Sequence, residues 1–220
     1  MIADPWAEAK QIIGGTRVLA GPQLSQQLLD APDHLAFQLA RYRAAAALIG
    51  NAQTVLEVGC GEGIGAGILA KGRQRYCGLD NDAEGVRIAR ETVGSDRLGF
   101  AELDILNAAF LPGTIYDAVV SLDVIEHIPA EAEGAFLLSI MTALRPHGVC
   151  VIGTPSRMFE HLASPQSKAG HVNLYTHDRL YDLLAERFQV VQSFGLQDTS
   201  LHTGHPDARH YLLMAGIGPR

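Results

Sequence analysis

The chain has 220 residues with 47% apolar and 19% charged side chains, enough for one α/β domain with a short cap and too apolar for wholesale disorder. Its net charge of -7 argues against a nucleic-acid substrate held on a broad basic face. Three scattered cysteines, Cys60, Cys77 and Cys150, form neither a disulfide framework nor a CxxC pair, and predict a reducing cytoplasm. No basic start precedes an apolar stretch, so no secretory signal is expected. No run approaches the ~20 apolar residues of a membrane span.

The first fifty residues lack the strand–helix rhythm of the rest and read as a helical cap (1–50) over one edge of the core domain. Helices are expected near Asp4–Ile13, with Asp4 as N-cap and Pro5 at the first position, and over Asp33–Ile49. A Gly21-Pro22 break separates them. From residue 51 to 220 a single unit follows. Thr54–Val58 is a short strand ending in glycines, followed by a helix over Gly65–Lys71. Arg75–Leu79 is the next strand, Asp82–Val93 a helix, and Leu98–Glu102 a strand. Tyr116–Ser121 is a buried strand, and Pro129–Leu144 is a helix stopped by Arg145-Pro146-His147-Gly148. Val149–Gly153 is the fifth strand. Thr176–Arg187 is a helix, and Phe188–Phe194 and His210–Ala215 close the chain as two consecutive strands.

Alternation of strand and helix predicts a doubly wound, Rossmann-like α/β sheet of seven strands. It would be mostly parallel, with the closing pair making an antiparallel edge. Ligands in such sheets bind beyond the carboxyl ends of the strands, at the switch point. That singles out Glu57, Asp80, Asp104 and Asp123. Gly59, Cys60 and Gly61 form a tight turn that a ligand can approach closely. Asp80 follows Glu57 by 23 residues, where a carboxylate can accept ribose hydroxyls. A glycine turn alone also suits a nicotinamide dinucleotide. Here Glu57 would repel a pyrophosphate, and Ile64 stands where a third glycine belongs.

The segment Val55-Leu56-Glu57-Val58-Gly59-Cys60-Gly61-Glu62-Gly63 resembles the first motif of class I S-adenosylmethionine-dependent methyltransferases. Gly78-Leu79-Asp80-Asn81-Asp82, Glu102-Leu103-Asp104-Ile105 and Tyr116-Asp117-Ala118-Val119-Val120-Ser121 resemble the second to fourth. Leu144-Arg145-Pro146-His147-Gly148 resembles the loop before the fifth strand. The resemblance covers about residues 54–156 and is nearest in pattern to small-molecule O-methyltransferases of the ubiquinone-biosynthesis type. It implies S-adenosylmethionine as cofactor, leaving as S-adenosylhomocysteine. Gly59, Cys60 and Gly61 would line the methionine part, and Glu57 would hold its ammonium directly or through water. Asp80 and Asn81 would hold the ribose, while Asp104 and the Ile105 backbone N–H would take the adenine. Ser121 and Leu122 would pass the sulfonium. Arg41, in the second cap helix, is a candidate clamp for the cofactor carboxylate.

His127, after the fourth strand, is the candidate general base, with Glu126 or Asp123 orienting it or polarising the acceptor. An E-x-x-E-H stretch stands here in ubiquinone-type O-methyltransferases, and in small-RNA 3′-end 2′-O-methyltransferases it joins a later histidine to bind a divalent metal. In this chain the first acid is Asp123, one methylene shorter. No resident metal is assigned; Asp123, Glu126, His127 and His171 are the set that would hold one. His171 otherwise reads as acceptor-binding. The long connection from Thr154 to Thr176 is expected to wall the acceptor pocket with the cap. Six of the nine histidines fall between His161 and His210, without an assigned role.

The leading expectation is O-methylation of a small hydroxylated metabolite such as a natural product, a sugar or a quinone precursor. N- or C-methylation, RNA 3′-end methylation, a non-catalytic cofactor-binding module and a nicotinamide oxidoreductase are the alternatives. No membrane partner is expected, and a homodimer is compatible with the sequence.

Overall fold

The structure is a computed structural model that describes residues 6, 11, 20–107, 115–197, 199–203 and 210–220. The expected helix over Asp4–Ile13 therefore lies almost wholly outside the described residues. The first helix described in full is α1 (Pro22–Asp30), and α2 (Pro32–Leu48) follows it. Gly21-Pro22 is thus a helix start, not a break. Proline has no N–H to lose at the first helical position, and its fixed φ suits the turn. Both helices use that device.

The remaining elements are β1 (Thr54–Val58), α3 (Ala66–Leu69), β2 (Arg75–Asp80), α4 (Ala83–Val93), β3 (Leu98–Glu102), β4 (Tyr116–Leu122), α5 (Glu133–Ala143), β5 (Leu144–Pro155), α6 (Pro165–Gly170), α7 (His177–Ala185), β6 (Phe188–Gln197), β7 (Ser200–His202) and β8 (Tyr211–Pro219). Asp82 and Thr176 cap α4 and α7 through their side chains. Two corrections concern α5 and β5. A 3₁₀ turn over Ala130–Ala132 replaces the first turn expected of α5. The residues expected to stop that helix join β5, opposite a register shift in β4.

The sheet has eight strands in the order β3-β2-β1-β4-β5-β8-β6-β7, one more than the seven expected. The extra member is the three-residue edge strand β7. β1 to β5 pair in parallel, and β8 is antiparallel to both neighbours. The edge strand β7 is also antiparallel to its neighbour β6, so the closing strands make this side of the sheet antiparallel, as expected. Residues Tyr211 to Gly216 of β8 are all buried, whereas β6 is half exposed along its length. A strand apolar on both faces needs partners on both sides.

Helices cover both faces of the sheet. Phe136, Leu137 and Ile140 of α5 pack with Leu180 and Leu184 of α7 on one face. Tyr42, Ala44 and Ala45 of α2 pack with Leu69 of α3 and Val86 of α4 on the other. α2 therefore belongs to the core of one face, although the cap was expected over an edge. Its approach is close because Gly65 lacks a side chain: a Cβ there would lie 2.0 Å from the Tyr42 ring. Gly65 has right-handed helical backbone angles, so its conformation would admit alanine. The contact decides the sign. We predict that Gly65→Ala destabilises the chain by about 1–3 kcal/mol in urea unfolding through overpacking. Unchanged stability would mean that α2 has room to move.

Candidate functional site

The chain runs from β1 outward to β3, then returns to place β4 on the other side of β1. The carboxyl ends of β1 and β4 therefore diverge, and a crevice opens between the loops that follow them. A cavity of about 360 Å³ occupies it, roofed by α1 and α2. Gly59, Cys60, Gly61, Asp80, Asn81, Asp104, Ile105, Leu122, Asp123 and His127 all line it. Most of the expected site residues are thus brought together.

The floor is the glycine turn. Gly59 and Gly61 have φ of 83° and 47°, a left-handed backbone that favours glycine. A Cβ on Gly59 would lie 2.2 Å from the Val124 side chain. The acids around the turn are held mainly by N–H groups. Asp80 accepts from the N–H of Gly61 at 2.7 Å and of Asp82 at 2.9 Å. Asp104 accepts from the Leu106 N–H at 2.9 Å and from the Asn107 amide at 3.0 Å. Each oxygen keeps a lone pair for a ligand. Glu62, which the sequence reading passed over, accepts from the N–H of Gln23 at 2.9 Å and of Leu24 at 3.0 Å. It seats the positive end of α1 on the glycine turn.

Three expected cofactor contacts are placed elsewhere. Glu57 is buried and does not line the cavity; both its oxygens accept from tyrosines, Tyr42 at 2.7 Å and Tyr76 through a short bond. The reason is register. Glu57 shares a strand face with Val55 and pairs with Gly78, two residues from Tyr76 on that same face, beneath α2. Ser121 is also buried, outside the cavity lining, and its hydroxyl finds no partner. Arg41 does not line the cavity; its Nη1 donates to both oxygens of Asp123, at 2.9 and 2.8 Å. Its guanidinium carbon lies 4.0 Å from the centre of the Tyr211 ring, a cation–π distance.

Asp123 is therefore bound to Arg41, which corrects its expected part in orienting His127. It holds a left-handed φ of 58°, pinned by Arg41 and by its own N–H on the Gly153 carbonyl. His127 is oriented instead by the chain backbone. Its Nδ1 lies 2.8 Å from the Gly170 carbonyl. A carbonyl only accepts, so Nδ1 carries the proton and Nε2 is left with a free lone pair. The Gly170 loop is fixed in turn. Val172 and Asn173 donate to the Glu126 carbonyl, and Glu133 accepts from Asn173, Tyr175 and Arg179.

Glu126 is fully buried. One oxygen accepts from Thr154 at 2.9 Å, and the other finds no partner. Burial, then the charge of Asp123, pushes its carboxyl up to about 8. His171 lies beside His127, with ring centres 5.2 Å apart. Burial, then His127, lowers its imidazole below the ordinary range. Glu126, His127 and His171 offer ligand atoms within 4.8 Å of one another. Asp123, the fourth expected metal ligand, is not in that group.

The connection after β5 lies outside the lining of this cavity and packs against His127 through Gly170 and His171. The other histidines between His161 and His210 scatter. His161 and His210 flank Phe159, His177 bonds Ser193, and His205 lies outside the described residues. No helix among the described residues is long and apolar enough to cross a membrane.

Residues 31–193 match the model of a methyltransferase domain family. A probable S-adenosylmethionine-dependent methyltransferase of Mycolicibacterium smegmatis is 37% identical over 108 residues, 47% of this chain and 38% of that one. The mitochondrial ubiquinone biosynthesis O-methyltransferase of Schizosaccharomyces pombe is 27% identical over 111 residues, 49% of this chain and 39% of that one. The matched stretch thus spans well under half of either relative. The N-methyltransferase NodS of Bradyrhizobium japonicum WM9, solved with S-adenosyl-L-homocysteine, shares the fold. Its TM-score is 0.66 at 20% identity, covering 91% of this chain and 94% of that one. The chain belongs to the methyltransferase domain family. The Mycolicibacterium relative is named for its dependence on the cofactor S-adenosylmethionine.

The cavity suits that cofactor. Four carboxylates line it (Glu62, Asp80, Asp104 and Asp123), and no lysine or arginine does among the described residues. Such a field favours a sulfonium cation and repels a diphosphate.

The buried Glu57 yields a prediction on stability. Desolvation raises its carboxyl to about 7 against the bonds from Tyr76 and Tyr42. A raised folded value means stability fully present below the ordinary value near 4.5 and lost as pH rises through about 7. Urea unfolding at pH 5 and pH 8 should show Glu57→Gln losing less stability across that interval than wild type. Equal losses would place the ionisation of Glu57 outside the pH response.

Proposed function

We propose that this domain transfers the methyl group of S-adenosylmethionine to the hydroxyl oxygen of a small metabolite, with His127 as general base. The cofactor supplies a methyl carbon on a positive sulfonium that departs as a neutral thioether. In this reading Gly59, Cys60 and Gly61 pack the methionine chain, and Asp80 with Asn81 takes the ribose hydroxyls. Asp104 accepts from the adenine amino group, and the Ile105 N–H donates to the ring. Leu122 passes beside the sulfonium.

The observation that carries the proposal is the tether of His127 Nδ1 to the Gly170 carbonyl, which leaves Nε2 as a base at the cavity wall. The acceptor oxygen bonds to the methyl carbon as the carbon–sulfur bond breaks in line. The hydroxyl proton goes to Nε2. The acidic cavity disfavours a polyanionic acceptor such as an RNA end, and supports a neutral or cationic small molecule.

A second reading has a specific observation behind it. The partnerless oxygen of Glu126, His127 and His171 could hold a divalent ion that polarises the acceptor. Chelation separates the two. With His127 as the base, turnover in excess EDTA stays within about twofold of the untreated rate. Loss restored by magnesium, manganese or zinc would establish the metal.

The base itself is tested by His127→Asn, whose amide can keep a donor for Gly170 but has no basic nitrogen. Its kcat should fall by about a hundredfold or more while S-adenosylhomocysteine affinity, read by calorimetry, stays within about twofold. Unchanged turnover would remove His127 from the chemistry.

A further inference from the structure

The base proposed above depends on one carbonyl, so whatever fixes that carbonyl sets the state of the ring. Gly170 lies in the connection between β5 and α7 and abuts the imidazole closely. A Cβ there would stand 3.1 Å from Cε1 and 3.2 Å from Nδ1 of His127. Nδ1 keeps its proton only while the Gly170 oxygen stays within hydrogen-bond reach. Just beyond, the N–H groups of Val172 and Asn173 both donate to the Glu126 carbonyl, at 2.9 and 3.0 Å. Residues 170–173 thus grip residues 126 and 127 at two points, one on the backbone and one on the ring.

Two side chains anchor that grip. Glu133 opens α5, and Arg179 lies in the first turn of α7. Nη1 of Arg179 donates to Oδ1 of Asn173 at 2.7 Å and to the Leu174 carbonyl at 3.1 Å, while Nη2 donates to Glu133 at 2.6 Å. Its guanidinium carbon lies 4.2 Å from the centre of the Tyr175 ring. The same Glu133 oxygen accepts from the Asn173 amide at 3.2 Å and from the Tyr175 hydroxyl at 2.8 Å. Neither Arg179 nor Glu133 lines the cavity. A cation in a first turn meets the positive end of its helix, so Arg179 does not serve α7 itself. Its side chain and that of Glu133 are 37% and 20% exposed, which makes the ion pair a poor source of stability. What the two share is their hold on residues 173–175.

We propose that Arg179 and Glu133 are positioning residues for His127: they hold residues 173–175 against the first turns of α5 and α7, and so keep the Gly170 carbonyl on Nδ1. The two helices pack together through Phe136, Leu137, Ile140, Leu180 and Leu184, which joins the anchors into one platform. Without the anchors the segment shifts and Nδ1 loses its acceptor. The proton then spreads onto Nε2, where it blocks the lone pair that would take the acceptor's proton. The catalytic consequence rests on the reading of His127 as base, whereas the tautomer itself is read without any substrate.

Nitrogen-15 NMR of the full chain with labelled histidine shows which ring nitrogen of His127 carries the proton. The measurement is made at about pH 8.5, where a histidine ring is ordinarily neutral, and His127→Asn assigns the signals. Wild type should show the proton on Nδ1. In Arg179→Gln the ratio of the Nδ1–H to the Nε2–H form should fall about fivefold or more, the equivalent of one neutral hydrogen bond. Gly65→Ala, destabilised on the opposite face of the sheet, should keep the wild-type ratio, which separates positioning from a general loss of stability. Where Arg179→Gln fails to fold, Glu133→Gln removes the other charge and should move the ratio the same way. An unchanged ratio in a folded Arg179 or Glu133 variant, or an equal shift in Gly65→Ala, would overturn the positioning role and leave His127 as the base. A wild-type chain with the proton on Nε2 would overturn the base as well.

Discussion

A field of negative charge around a left-handed glycine turn organises this molecule. The carboxylates of Glu62, Asp80 and Asp104 accept hydrogen bonds from N–H groups, which bring only partial charge and leave the surroundings acidic. Among the described residues, Asp123 alone of the cavity acids has a cationic partner, Arg41. Such a place favours a ligand with spare positive charge and penalises phosphate. The fold serves this arrangement by bringing the carboxyl ends of β1, β2, β3 and β4 to one rim.

Around that centre, two buried networks hold the rim to the helices. Tyr42 and Tyr76 clasp Glu57 beneath the turn, so α2 is bonded to β1 and β2 through one carboxyl group. Arg41, one residue before Tyr42, reaches Asp123 after β4. The same helix therefore contacts both sides of the switch point. Glu62 adds α1 to the assembly. A change of ligand charge at the turn is felt directly by the roof, since the acids that would meet the ligand also receive the helix.

The parallel core was legible from the strand–helix alternation, because buried parallel strands read as short apolar runs ending in polar residues. Asp80 and Asp104 fall at the rim for that reason alone. Glu57 shows where charge by itself misleads. Its alternation with Val55 put it on the face under α2, and that periodicity outweighs the attraction of a distant ammonium. Arg41 could not be assigned from spacing, since its partner is 82 residues away. The pairing of His127 with His171 and the fixing of Nδ1 by Gly170 also depend on how a long connection folds back. α1 was passed over because Gly21-Pro22 signals both a break and a helix start, and only the carboxylate of Glu62 at its first N–H groups decides between them.

Calorimetric titration of the wild-type chain with S-adenosylmethionine and, separately, with a nicotinamide dinucleotide bears most directly on this account. Saturable binding of the sulfonium compound, with no heat from the dinucleotide, is the result that an acid-lined crevice requires. Tight binding of the dinucleotide, with the sulfonium compound unable to displace it, would mean that the carboxylates do not set the cavity's selectivity.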